Sequence, residues 1–468
     1  MTNLLSGPPA VVAAGVDVFS DALRAQGAAV TDVEWRPPTI GSADDLTQLA
    51  LDPRRAAANR VAVERVLASR STLTDVAPAS EVIGLTGRTL LHSGPPLSWE
   101  TASGPMRGAL MGACLFEGWA DTPEAAEQLL ASGGVALDSC HHHRTVGPMA
   151  GVTSPSMWMW CLTDPTDGRQ AFSNLNEGLG KVLRMGAYGP EVVTRLHWMT
   201  DVMGPILQAA VRSRPEPLDV TGVLAQMLQM GDEGHNRNRA GSLMTLRELS
   251  PSIVAVDAPK DDIAEVLRFI GGNEHFFLNL GMPTAKLAMD AVGHVPGSTM
   301  VTTLARNGTE FGVRTAGTGD RWFTAPANTP VGLFLGDYGP EDANPDIGDS
   351  AIMETYGVGG FCMAAAPAIV RFVGGTVPDA LATTERMYQI TLQENPAMQV
   401  PILGFRGAPT GIDVLSVART GWLPQINTGM AGRVAGTGQV GAGLVQPPAS
   451  CFEQAVAALA EESRAALG

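Results

Sequence analysis

Glycine falls beside polar residues throughout this chain of 468 residues, as in Asn176-Glu-Gly-Leu-Gly-Lys181 and Asp346-Ile-Gly-Asp-Ser350. Glycine reaches backbone conformations closed to other residues and lets two segments approach closely. With 54 glycines and 33 prolines, long regular elements are interrupted often. The pattern predicts tight backbone geometry around polar pockets rather than flexible linkers. The longest apolar run, Tyr356–Val370, is broken by Gly357, Gly359, Gly360 and Pro367. It is too short for the ~20 apolar residues of a membrane span.

Charge narrows the partners. A net charge of −16 and a pI near 4.9 argue against nucleic acid, which needs a basic surface. A local basic pocket for a small anion is compatible with that balance. The first residues lack a basic stretch followed by a long apolar one, so no signal peptide is expected. Cys114, Cys140, Cys161, Cys362 and Cys451 are scattered, odd in number and without a CxxC. Neither a disulfide scaffold nor a zinc ribbon is indicated, and a cytoplasmic protein with reduced thiols is expected.

At ~150 residues per domain the chain should hold two to four domains. Ala10–Ala14, Val16–Gln26 and Ala28–Trp35 predict strand, helix, strand. A helix over Pro53–Arg70 and strands over Glu81–Gly84 and Thr89–His92 complete an α/β domain over residues 1–100 with parallel pairing. Its first strand–helix turn holds only Gly15, so the dinucleotide fingerprint is missing. A mixed α/β segment follows over 101–190, with helices at Pro105–Ala120 and Pro123–Ser132 and strands at Ser156–Asp164 and Arg169–Leu175. A helical region covers 191–295. An α+β domain over 296–468 opens on a hairpin around Asn307-Gly308 and carries helices at Ala351–Phe372, Val377–Gln393 and Ser450–Ala466.

The densest polar cluster is Met230-Gly-Asp-Glu-Gly-His-Asn-Arg-Asn238, directly after the apolar helical segment Val220–Met230. Two carboxylates, an imidazole, two amides and a guanidinium there can coordinate a metal, relay a proton or clamp an anion. The plainer alternative is a helix start capped by Asp232 or Glu233. Cys140-His-His-His-Arg144 is the second focus, with structural and solvated histidines as the competing reading. Asn174–Arg184 fails the P-loop pattern, since Leu175 and Val182 stand where Gly and Ser/Thr belong. Its Gly-rich turn with Lys181 and Arg184 can still hold an anion. In Asp346–Glu354, Ser350 and Glu354 share one helix face, and Asp349 stands near the helix start. Gly436-Thr-Gly-Gln-Val-Gly441 is a formal GxGxxG, but no helix starts there and Pro447-Pro448 follows. Neither HExxH, GxSxG nor an EF-hand loop occurs.

Taken in order, these segments resemble one bacterial family. The resemblance is carried by Leu91-His-Ser-Gly-Pro-Pro96, Gly104-Pro-Met-Arg-Gly108, Phe116-Glu-Gly-Trp119 and Val146–Gly151, then by Asn174–Arg184 and Gly231–Asn238. Ala305-Arg-Asn-Gly-Thr309, Asp346–Thr355, Phe405–Asp413 and Gly438–Gly443 continue it, so it runs from about residue 10 to 455. The family is the YlbE-like one, which includes the AllG-type subunit of oxamate carbamoyltransferase. Departures fall at Gly234 and at Gly432-Arg433.

The resemblance implies a Rossmann-like N-terminal region joined to α+β modules and a helical one. It also implies carbamoyl transfer between a small ureido or oxamate-type anion and phosphate or carbamoyl phosphate, in allantoin catabolism, beside an FdrA-like subunit in a homo- or hetero-oligomer. The Ser-Thr-Arg-Thr motif of the aspartate and ornithine carbamoyltransferases is absent.

Carbamoyl transfer needs a base, oxyanion donors and cations for the anion. His235, Glu233, Asp232 and His143 are therefore the catalytic candidates. Lys181, Arg184, Asn176, Glu177, Asn236, Arg237, Arg306, Asn307, Asp349, Ser350 and Glu354 are the substrate-binding ones. No metal ligand is assigned, although a divalent ion fits the chemistry. The rival readings are a non-catalytic assembly subunit and a metal-dependent amidohydrolase. The acid–His cluster and the Asp349/Glu354 cluster are expected to line one pocket.

Overall fold

A computed structural model describes residues 10–14, 17–32 and 38–467. It is a mixture of α/β and α+β modules. Ala10–Ala13 and Ala29–Asp32 pair in parallel around the helix Asp17–Ala25. This is what the described residues form of the expected Rossmann-like sheet. The ends of that expectation, Val16 and 33–35, lie outside the described residues.

The strand Thr72–Pro78 instead sits inside a four-stranded antiparallel sheet, between Trp158–Thr163 and Leu218–Asp219, with Gln170–Asn174 at its edge. Thr89–His92 runs parallel to Ala136–Ser139 and antiparallel to Val152–Thr153. Glu81–Gly84 is not the expected strand. Pro78 ends the strand, Ala79 donates its N–H to the Met157 carbonyl, and Ala79–Val82 coils into a helical turn.

From Pro190 to Asp290 the chain is helical, as expected: Pro190–Trp198, Gly204–Arg212, Val220–Gln229, Arg239–Val254, Lys260–Gly272 and Leu278–Asp290. A wider π turn, Met199–Met203, joins the first two. These helices pack on Thr72–Pro78 and Trp158–Thr163 to make the largest core, where Trp160 meets Phe276 edge-on at 5.6 Å.

The C-terminal region holds the expected hairpin, Val301–Asn307 with Glu310–Thr315, flanked by Phe323–Pro326 and Ile347–Gly348. A three-stranded sheet runs Val331–Phe334, Gln439–Val445, Ile426–Ala431, and Thr391–Val400 pairs with Arg406–Ile412. That last hairpin ends the helix Val377–Tyr388 short of the expected Gln393. The expected helix over Ala351–Phe372 is divided into short turns, because Gly357 and Gly359 take left-handed backbone at φ +106° and +62°. The closing helix is Ala449–Leu467. No helix of the described residues is long and apolar enough to cross a membrane, and all five cysteines are free and buried.

Candidate functional site

After Val220–Gln229 the backbone turns through two left-handed glycines, Gly231 and Gly234, before the helix Arg239–Val254 begins. Asp232 caps that helix, its Oδ2 accepting the Gly241 N–H at 3.0 Å. Glu233 is fully buried and holds the loop together, accepting N–H bonds from His235 at 3.1 Å and Arg237 at 2.7 Å. His235 projects across the chain. Its Nδ1 lies 2.8 and 2.9 Å from the two carboxylate oxygens of Glu354, 119 residues away.

Glu354 also accepts the N–H groups of Gly360 at 2.8 Å and Asn427 at 3.2 Å. An ionised carboxylate only accepts, so the imidazole proton belongs on Nδ1 and Nε2 keeps its lone pair. Gly359 is required beside this pair. A Cβ there would stand 2.4 Å from Glu354 Oε1 and 3.0 Å from His235 Cβ.

His235 lines a narrow cavity of about 10 Å³ with Asn236, Arg184, His275, Ser350 and Met149. Arg184 comes from the short 3-10 turn Leu183–Met185, closed by left-handed Gly186. Its guanidinium is buried, its Nε has no hydrogen-bond partner, and burial lowers its pKa to about 10, with Glu177 opposing. Glu177 accepts the Leu183 N–H at 2.5 Å, and burial pushes it up to about 7. His275 is pushed down to about 3, first by burial and then by Arg184 and His235, so its ring is neutral. His275 Nδ1 and Ser350 Oγ are both buried without partners. A buried charge without an acceptor costs several kcal/mol. An anion with hydrogen-bonding oxygens would satisfy Arg184 and Ser350. Arg184 and Glu177 also line a more apolar cavity of about 30 Å³, walled by Phe116, Trp158, Leu196 and Met199.

The remaining candidates are placed elsewhere. Lys181 is exposed, 3.5 Å from Glu191, in an open cleft with Arg195 and Arg268. Asn176 has left-handed backbone, accepts the Glu177 N–H at 3.1 Å and faces the apolar cavity. Arg237 folds back on the Gly231 carbonyl at 2.8 Å and on Asp232 at 3.6 Å. Arg306 is fully buried, bound to Asp346 at 2.6 and 2.9 Å, to the Gly348 carbonyl at 2.7 Å and to Thr428 at 3.0 Å. Asn307 closes its hairpin by accepting the Thr309 and Glu310 N–H groups.

Asp349 points away from Glu354. It accepts the N–H groups of Gly94 at 2.7 Å and Gly147 at 2.9 Å and stands 3.1 Å from His141 Nε2. His143 and His142 both bind Asp138, at 2.8 and 2.7 Å, outside the His235 cavity. The two clusters do not line one pocket as expected: they touch only through His235 and Glu354. Of Asp232, Glu233, His235, Asp349 and Glu354, His235 alone lines the cavity. Asp232 and Asp349 serve other contacts, because each caps backbone N–H groups of its own surroundings. His275 is the important addition. Its sequence signal is Asn273-Glu-His275, a polar insertion into an apolar stretch. Gln439 and Gly429 also reach the cavity, without a comparable signal. Among the described residues no group of three His, Cys, Asp or Glu side chains is arranged to hold a metal.

Burial, and then the nearby Glu354 charge, pushes Glu233 up to about 8 from an ordinary 4.5. A raised carboxyl pKa favours the folded state below the unfolded value, and that advantage is lost as pH rises through the folded one. Folding stability should therefore fall between pH 4.5 and about 8, by on the order of a few kcal/mol. Glu233→Gln should flatten this slope even though its amide loses one N–H acceptor. Denaturant unfolding of both proteins across that range measures it, and an equal slope in the variant refutes it.

A family model described as "Oxamate carbamoyltransferase subunit AllG" matches residues 135–350. The chain is 49% identical over 409 residues to the Escherichia coli (strain K12) "Oxamate carbamoyltransferase subunit AllG", covering 87% of this chain and 98% of that one. It is 45% identical over 461 residues to "Uncharacterized protein YahG" of the same strain, covering 97% and 98%. A solved structure, "Crystal structure of a conserved protein of unknown function from Enterococcus faecalis V583", superposes with a TM-score of 0.85 at 48% identity, over 87% of this chain and 97% of that one. With such identity spread over nearly the whole length of the relative, the chain belongs to the family of the oxamate carbamoyltransferase subunit AllG.

Proposed function

We propose that this protein is a carbamoyltransferase subunit that binds a small oxamate- or ureido-type anion in the Arg184–His235 cavity. The supporting observation is the buried Arg184 guanidinium, whose Nε lacks an acceptor, in one cavity with an imidazole oriented by Glu354. Arg184 takes the substrate carboxylate. In the direction of carbamoyl phosphate use, the oxamate amide nitrogen attacks the carbamoyl carbon and a C–N bond forms. His235 Nε2 accepts the proton that nitrogen loses, and the C–O bond to phosphate then breaks, releasing phosphate. Run backwards, phosphate attacks the ureido carbonyl, the C–N bond breaks, and His235 returns the proton to the leaving nitrogen. Ser350 Oγ, buried without a partner, is the donor for the developing oxyanion.

The relative's name as a subunit supports work in a complex. An FdrA-like protein is the partner in this reading, and the cytoplasm, where the free thiols stay reduced, is the compartment. The assay therefore uses the chain alone and with that partner. Activity that appears only with the partner, yet is unaffected by changes at Arg184 and His235, would place the chemistry in the partner.

Arg184→Lys should weaken oxamate binding by roughly 10- to 100-fold, since a charge-assisted contact is worth ~1.5–3 kcal/mol and Lys lacks the planar fork. Calorimetric titration with oxamate reads this. Unchanged affinity in a folded variant removes Arg184 from the reading.

A further inference from the structure

A second concentration of cationic groups lies outside the Arg184 cavity. Around a cavity of about 460 Å³, Arg144, Arg169, Lys286 and Arg314 face Asp290 and Asp320, four cations to two carboxylates. The whole chain carries a net charge of −16, so this local reversal is specific to the place. Both carboxylates are already engaged: Lys286 Nζ donates to Asp290 at 2.7 Å, and Arg314 contacts Asp320. Arg169 is held by Asp167 and Asp164.

That leaves Arg144 and part of Arg314 uncompensated. Arg144 closes the turn Cys140–His143 in left-handed backbone, with its guanidinium 5.3 Å over the Phe172 ring, and joins no ion pair among the described residues. Arg314 is built into the wall. It is 6% exposed, its pKa is lowered by burial, and it lies 5.4 Å over the Trp322 ring, while its Nε has no partner. An unpartnered buried guanidinium N–H beside an unpaired cation matches an oxyanion. The volume suits a ligand larger than the anion alone.

We propose that this cavity binds a phosphoryl-bearing small molecule through Arg314, Lys286 and Arg144, at a site separate from the Arg184 cavity. The one unpaired charge, on Arg144, and the unpartnered Nε of Arg314 suit the oxygens of a phosphoryl group. This inference stands on the cavity itself and does not depend on the carbamoyl-transfer reading.

The test is calorimetric titration of the full-length chain with inorganic phosphate and with ADP, at fixed ionic strength. Wild type, Arg184→Lys, Arg314→Gln and Arg144→Gln are compared. ADP should bind as one equivalent that persists in Arg184→Lys and weakens at least tenfold in both Arg314→Gln and Arg144→Gln. ADP binding more tightly than phosphate identifies a phosphate ester as the ligand, and equal binding identifies the free oxyanion. Arg144 is exposed, so its variant should fold even if Arg314→Gln does not. Binding unchanged in Arg144→Gln, lost in Arg184→Lys, or absent from wild type for both ligands overturns the site.

Discussion

Replacing His235 by Gln should lower kcat by roughly 10²–10⁴-fold with little change in substrate affinity, the range seen when a general base is lost. The Gln amide can still donate to Glu354, so the 2.8 Å anchor has a replacement and the loop should hold. What disappears is the basic Nε2. Steady-state kinetics of the variant against oxamate, in the presence of its partner and over a range of pH, separates the roles. Near-normal kcat throughout, with a lowered melting temperature, would make His235 a structural histidine.

Arg306 should show the opposite signature. Its guanidinium is fully buried and bidentate to Asp346, which is itself buried. Removing one member of such a pair leaves an uncompensated charge, at a cost of about 3–5 kcal/mol. Arg306→Met should therefore shift the denaturant midpoint strongly. The double change Arg306→Met, Asp346→Leu should recover much of the loss, because apolar replacements of both partners are often nearly neutral. A single variant within ~1 kcal/mol of wild type would mean that the pair is not a buried ion pair in solution.

The sequence made the polar clusters visible but not their partners. His235 stands out because Gly231–Asn238 packs ionisable groups into a weakly charged chain, and Glu354 because Asp346–Glu354 does the same. Their meeting is a tertiary fact, set by the turns at Gly357 and Gly359. Lys181 and Arg184 look alike at three residues' separation. Only the 3-10 turn and the left-handed Gly186 decide that Arg184 is buried and Lys181 exposed. Arg306 reads equally well as an anion ligand until Asp346 is seen to occupy its fork. The helices between Pro190 and Asp290 were legible because their apolar spacing is local. Thr72–Pro78 was not placed, because its neighbours come from Trp158–Thr163 and Leu218–Asp219, and strand pairing at that separation leaves no periodic trace.

The walls of the Arg184–His235 cavity are drawn from Pro148 to Gln439. No fragment that stops short of Gln439 contains the full wall, so during synthesis the pocket comes into being only after that residue has emerged. Occupancy then couples to global rather than local unfolding. A ligand present at a hundred times its dissociation constant would add ~2.7 kcal/mol to the stability of the entire fold. For this architecture, abundance in the cell and supply of substrate become linked quantities.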